Sequence, residues 1–425
     1  MFKGARRFFK SAGPGIIAGA ADDDCSGIAT YTQTGAQFGY GQVWVAAFLL
    51  PFLISVQEAC ARIGAVTGKG IAAVIKEHYS KKVLYAALFL VIIANTINIG
   101  ADLGAMGAAA QLIIPADLTI LTLGFTAIIL LLEIFVPYKT YARILKWFAL
   151  ALISYPLTLF LVKQPWDILL RATFIPHIEF DFAFLFIITG VFGTTISPYM
   201  FFWQASEEVE EEKERHLIRH GVPHLTKKFI RFLRIDTFLG MLSSEIATWS
   251  IIVVAATVLH GNGITDIGTA ADAAKALEPL VQTFPNAGLI AKIIFAVGII
   301  GLGLLAVPVL SASASYALSE AFNWKEGLNL KFKKAHGFYG VIITATLVGL
   351  AINFAGINPI KALIFTAVLN GVAAVPLLFI IARIARNKTI MGHERSGLIS
   401  SAFVWTTFLF MCASAIAMFL TIGGS

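Results

Sequence analysis

Apolar runs about twenty residues long, separated by short polar breaks, recur from one end of the chain to the other. A run of that length spans the ~30 Å hydrocarbon layer of a bilayer as a helix. The pattern predicts eleven such helices, over 14–39, 43–64, 83–113, 116–136, 143–163, 181–206, 236–260, 286–322, 337–355, 359–384 and 398–422. Most are continuous, as in LYAALFLVIIANTINIG. The first and the sixth are not, because Gly, Pro and polar residues interrupt both. The sixth thus repeats the first after five spans. This predicts a five-plus-five inverted repeat, 14–163 and 181–384, with 398–422 as an extra helix. In such folds the first helix of each repeat breaks at the membrane midplane, freeing carbonyls and helix ends to hold a ligand.

Composition agrees with an all-α polytopic membrane protein. Of 425 residues, 58% are hydrophobic and 13% charged, against about 25% charged in an ordinary soluble domain. A soluble enzyme, a disordered chain and a secreted disulfide scaffold are excluded. Cys25, Cys60 and Cys412 form neither a metal spacing nor a disulfide frame. No nucleophile–base pair or cofactor loop is visible, so the expectation is no enzyme and no cofactor. The net charge of +7 does not indicate nucleic acid, because the basic residues follow topology. With the N-terminus inside, most of the 32 Lys and Arg fall on one side. They include Lys3, Arg6, Arg7 and Lys10, Lys139, Arg143 and Lys146, and Lys227, Lys228, Arg231 and Arg234. That is the positive-inside distribution. It predicts a cytoplasmic (inner) membrane protein with its N-terminus cytoplasmic and its C-terminus extracytoplasmic. The opening MFKGARRFFKSAGPG reads as the flank of a retained span, not a cleaved leader.

The chemistry concentrates at the two interruptions. Asp22, Asp23 and Asp24 stand about ten residues into the first span. A charge at that depth costs about 2.5–3.5 kcal/mol. Three together must face a water-filled cavity, hold cations, or share protons. In the sixth span Gly190 and Gly193 loosen the helix and Pro198 removes a backbone donor. Thr194, Thr195, Ser197 and Tyr199 set hydroxyls at that level, and carbonyls near Ile196 are freed. Oxygen ligands facing carboxylates suit a hard cation or an ammonium group. Tyr199 and Trp203 would serve an organic cation as aromatic walls. Asn95, Asn98 and Asp102 share one face of the third span, where Asp102 is either a proton carrier or a structural acid. Asn370 faces the bundle from the tenth span. Glu58 and Glu133 read as structural. His216, His220 and His224 lie in a charged connection interrupted by Pro223 and read as a solvated face.

These residues resemble the Nramp family of divalent metal transporters. The run GPGIIAGAADDDCSGIATYTQTGAQFGY is similar to that family's first helix, most closely from Gln33 to Tyr40. Ala61 to Lys69, Gly190 to Pro198 and Asn387 to Gly392 also resemble it. The resemblance runs over most of the chain and implies an eleven-helix, LeuT-like fold. The family's Asp-Pro-Gly-Asn motif falls on Asp24-Cys25-Ser26-Gly27, which keeps the metal-binding Asp and loses the Asn. Its Met-Pro-His motif falls on Ser197-Pro198-Tyr199, which loses the thioether and the His. Its third-helix Asp matches Asp102, but the Glu three residues later is Ala105. Asp22 and Asp23 are additions.

The resulting expectation is a secondary transporter moving a divalent cation of the Mg2+ or Mn2+ class by alternating access, with a coupling proton as a candidate partner. Asp24 is the primary ligand and Asp22 or Asp23 adds charge. Ser197 and the Ile196 carbonyl complete the shell. Gly27, Thr194, Thr195, Tyr199, Trp203 and Asn370 line the cavity. Asp102, Asp22 and Asp23 are the proton-path candidates. Losing the Met sulfur removes a preference for softer ions. A transporter of a small organic cation, amino acid or other metabolite is the alternative on the same fold. A non-transporting receptor or scaffold is a further one.

Overall fold

The computed structural model describes residues 13–136, 140, 152–219 and 222–421. The basic N-terminal residues Lys3 to Lys10, Lys139, the first nine residues of the span predicted over 143–163 with Arg143 and Lys146, and His220 lie outside the described residues.

The chain is helical almost throughout. Its first span is two helices, α1 (Pro14–Asp22) and α2 (Cys25–Phe38). Then come α3 (Trp44–Thr67), the short α4 (Ile71–His78), α5 (Lys81–Gln111) and α6 (Leu118–Phe135). Two short helices follow, α7 (Ser154–Leu161) and α8 (Trp166–Phe174). The sixth predicted span is again two helices, α9 (Phe182–Thr195) and α10 (Pro198–Glu214). The rest is α11 (Lys227–Val258), α12 (Ala287–Phe322), α13 (His336–Ile352), α14 (Pro359–Arg386) and α15 (Leu398–Leu420), with short helical turns between. Among the described residues nine helices are long and apolar enough to cross a membrane, taking 182–214 as one. The halves of the first span, 9 and 14 residues, are each too short to do so alone.

Both interruptions have local causes. Asp23 (φ −83°, ψ 71°) and Asp24 (φ −72°, ψ −175°) leave the helical region. Ile196 (φ −114°, ψ 67°) and Ser197 (φ −88°, ψ 143°) do the same before Pro198. Pro198 then starts α10 at the one position where its missing N–H costs nothing.

Packing places the breaks side by side. α1 and α2 run along α11, α9 along α14, α10 along α3, and α12 along α5. Gly193 allows the α9–α14 contact, since a β-carbon there would collide with the Ala367 carbonyl and the Gly371 backbone. Asp236 of α11 holds the start of α1. Its carboxylate accepts N–H bonds from Gly13 (2.9 Å), Gly15 (2.7 Å) and Ile16 (3.3 Å). These are donors a helix start cannot satisfy itself, and an anion suits that end of the helix dipole. The outer surface exposes large apolar side chains such as Phe89, Ile120, Phe135 and Leu409, while Asp22, Asp23, Asp24 and Asp102 are buried. A lipid-facing exterior accounts for that inversion.

Two expectations need correction. The connection after α10 is a small antiparallel hairpin, β1 (Ile218–Arg219) with β2 (Val222–Pro223), in place of a helix interrupted at Pro223. His216, in the left-handed region at φ 55°, turns the chain into it. α11 begins at Lys227, nine residues before the predicted 236, because the helix continues beyond its apolar part and hydropathy marks only that part.

Candidate cation site at the two helix breaks

Asp24 is the first residue of α2 in all but conformation: it is the helix cap. Its Oδ1 accepts the Gly27 N–H at 3.0 Å and the Ser26 hydroxyl at 2.5 Å. This is ordinary N-cap chemistry, carried out in the middle of a bundle. The other oxygen, Oδ2, accepts from Asn98 Nδ2 of α5 at 2.7 Å. Thr194 Oγ1 of α9 lies 3.0 Å from Ser26 Oγ and 3.5 Å from Asp24 Oδ1. One carboxylate thus collects polar groups from α2, α5 and α9.

The second break is oriented toward the first. Tyr199 OH donates to the Ala21 carbonyl at 3.1 Å, near the end of α1. Tyr31 OH pairs with Thr195 Oγ1 at 2.9 Å. The Ser197 hydroxyl is buried beside the Tyr199 phenol, with no other partner among the described residues, and Ile196 is the residue at which the helix opens. Gly27 leaves little spare room: a β-carbon there would stand 3.4 Å from Thr194 Oγ1 and 3.2 Å from the Tyr31 ring.

The three consecutive aspartates take different hydrogen-bond partners. Asp22 accepts from Ser244 Oγ at 3.1 Å and Asp23 from Thr248 Oγ1 at 3.4 Å, both on α11. Asp24 alone turns to α5 and α9. Glu245, between those two α11 residues, is 4% exposed and has neither oxygen paired. Among the described residues, no three His, Cys, Asp or Glu side chains converge to hold a metal ion. Any shell around Asp24 therefore draws on hydroxyls, carbonyls, the Asn98 amide or water.

The remaining expected residues separate. Asp102 is fully buried against the Cys25 thiol, and among the described residues its carboxylate has no other donor. Asn370 is buried in α14, its amide unpaired. Trp203 is buried edge-on to Tyr316 of α12, ring centroids 6.5 Å apart, while Tyr199 stays at the breaks. A cavity of about 780 Å³ opens on one face of the bundle between Gln33, Gln37, Phe186, Asp266 and Phe365. It reaches Ala101, next to Asp102, and Ile187, one turn before Gly190. Asp24 itself is buried.

Two residues now stand out that the expected site lacked. Asn98 shares its helix face with Asp102, which was the cue to it. Glu245 sits in SSEIATWSIIVV, and an acid inside an apolar span is itself a signal.

A family model described as natural resistance-associated macrophage protein-like, Nramp, matches residues 15–421. The divalent metal cation transporter MntH of Caldanaerobacter subterraneus is 25% identical over 436 residues, covering 99% of this chain and 95% of that protein. MntH of Bacillus subtilis is 26% identical over 400 residues, covering 92% and 87%. Among solved structures, the Eremococcus coleocola manganese transporter superposes with a TM-score of 0.72 at 14% identity, covering 98% of this chain and 86% of that one. MhsT in complex with L-phenylalanine superposes at 0.63 with 13% identity, covering 96% and 98%. At those identities the structures speak for the fold.

Proposed function

Since the chain belongs to the Nramp family, we propose that it is a secondary transporter carrying a divalent metal cation across the cytoplasmic membrane. The observation that carries this reading is the Asp24 carboxylate, which gathers Asn98, Ser26 and Thr194 between two broken helices. Relatives of nearly full length are named divalent metal cation transporters, which supports the same cargo class.

Asp24 supplies the charge, with the Ser197 hydroxyl, the Ile196 carbonyl and Thr194 as neutral oxygen ligands. Such a set favours hard ions, Mg2+ or Mn2+, and leaves room for retained water on Mg2+. The cation enters through the cavity between Gln37 and Phe365, which is extracytoplasmic when the N-terminus is inside. Alternating access follows if the pairs α1–α2 and α9–α10 rock against the rest, 14–163 and 181–384 being the inverted repeats. Asp22, Asp23 and Asp102 are the acids available to a coupling proton.

The test is uptake of Mg2+ and Mn2+ into proteoliposomes. Asp24→Ala reduces uptake to background. Wild-type uptake by that variant overturns the site.

A further inference from the structure

Beside the first break stand Cys25, Asp102 and Met106, three side chains that the Asp24 site does not use. Asn98, Asp102 and Met106 recur every four residues on α5, so they stack on one helix face. That face tracks the break: Asn98 bonds Asp24, and Asp102 faces Cys25, the next residue. Asp102 is fully buried, and among the described residues its carboxylate has no donor beyond the Cys25 thiol, a weak one. A buried carboxylate left in that state is costly.

Two sulfurs lie nearby, the Cys25 thiol facing this carboxylate and Met106 one turn along α5. The Cys25 thiol donates to the Ile299 carbonyl of α12 at 3.4 Å. One turn further along α12, a β-carbon at Gly303 would collide with Met106 Sδ and would stand 3.3 Å from Cys25 Sγ. The two sulfurs therefore flank the bare backbone of Gly303, and the Cys25 sulfur faces the Asp102 carboxylate.

We propose that Cys25 Sγ, Met106 Sδ and the Asp102 carboxylate form a second cation site, selective for soft or borderline divalent ions such as Cd2+ and Zn2+. Thiolate and thioether ligands bind such ions and leave Mg2+ in water. The thiol proton passes to solvent as the metal arrives. The Asp24 oxygens are turned to Gly27, Ser26 and Asn98, so the two sites lie about one turn apart along α5. Soft selectivity thus returns from the third helix after its loss at Ser197. The inference does not depend on Asp24 binding cargo.

The test is titration of Cd2+ alone into the purified full-length protein in detergent, followed by sulfur-to-cadmium charge-transfer absorption. The wild type and a Cys60→Ala/Cys412→Ala variant give the same saturable band. Cys25→Ser abolishes it. Met106→Leu, which conserves core volume, and Asp102→Asn each weaken Cd2+ binding at least tenfold. Asp24→Ala keeps the band while losing uptake, so the two proposals fail separately. A wild type without the band, a band surviving in Cys25→Ser, or a band lost in Asp24→Ala overturns the second site. If Cys25→Ser does not fold, unchanged affinity in Met106→Leu overturns it.

Discussion

Asn98 Nδ2 donates to Asp24 Oδ2 at 2.7 Å, and that bond ties the unbroken helix α5 to the break in the first span. The amide is the only side chain of α5 that reaches this carboxylate among the described hydrogen bonds. It favours the ionised form of an acid that has no ion pair among the described residues.

Replacing Asn98 with Leu removes that donor and leaves the oxygen uncompensated. A loss of this kind costs about 1–3 kcal/mol, or roughly a 5- to 150-fold drop. Uptake by Asn98→Leu in proteoliposomes is expected to fall by that factor, with the protein still folded. Unchanged uptake would show that the Asn98 bond is dispensable.

Cargo chemistry is readable in solution. A ligand bound only by the folded state adds about 2.7 kcal/mol at a hundred times its dissociation constant. Mg2+ or Mn2+ is expected to raise the melting temperature of the wild type and not that of Asp24→Ala. Stabilisation by a small organic amine without metal would instead favour the organic-cation reading.

Asp236→Ala leaves the N–H groups of Gly13, Gly15 and Ile16 without their acceptor. The start of α1 is expected to loosen, at a cost of about 1–3 kcal/mol. Faster limited proteolysis near Gly13 and a lower melting temperature are the readouts, with Asp236→Asn intermediate because it keeps one acceptor oxygen.

Glu58 is paired with Arg62 at 2.6 Å and with Arg234 at 3.0 Å. Arg62 is 2% exposed, so Glu58→Ala leaves a buried charge unpaired, at about 3–5 kcal/mol. Arg234 remains in contact with solvent and contributes little. The double variant Glu58→Leu/Arg62→Met is expected to recover most of the loss in thermal unfolding, because it removes both charges together.

The helical class and the two breaks were legible in the sequence, since Pro198 and the run Asp22 to Asp24 each act on the backbone where they stand. Side-chain direction was not. Consecutive residues in a non-helical stretch point different ways, so Asp22 and Asp23 turn to Ser244 and Thr248 while Asp24 turns to Asn98. An unbroken row of acids does not say which way each one turns; the backbone angles at Asp23 and Asp24 decide that. Trp203 is similar: its helix was anticipated, but its packing on Tyr316 depends on α12, more than a hundred residues away. Hydropathy also stops where lipid stops, which is why the first turns of α11 and the hairpin before it went unread. Glu245 and Met106 went unnoticed for another reason, as each gains meaning only from a neighbour supplied by a different helix.

Asp24 Oδ1 already has an occupation, accepting the Gly27 N–H as the cap of α2. A cation that settles on this oxygen competes with that N–H for the same lone pairs. Loading the cargo would therefore fray the first turn of α2, and unloading would rewind it. The state of the site would be recorded in the pitch of a helix, where amide exchange at Gly27 could read it.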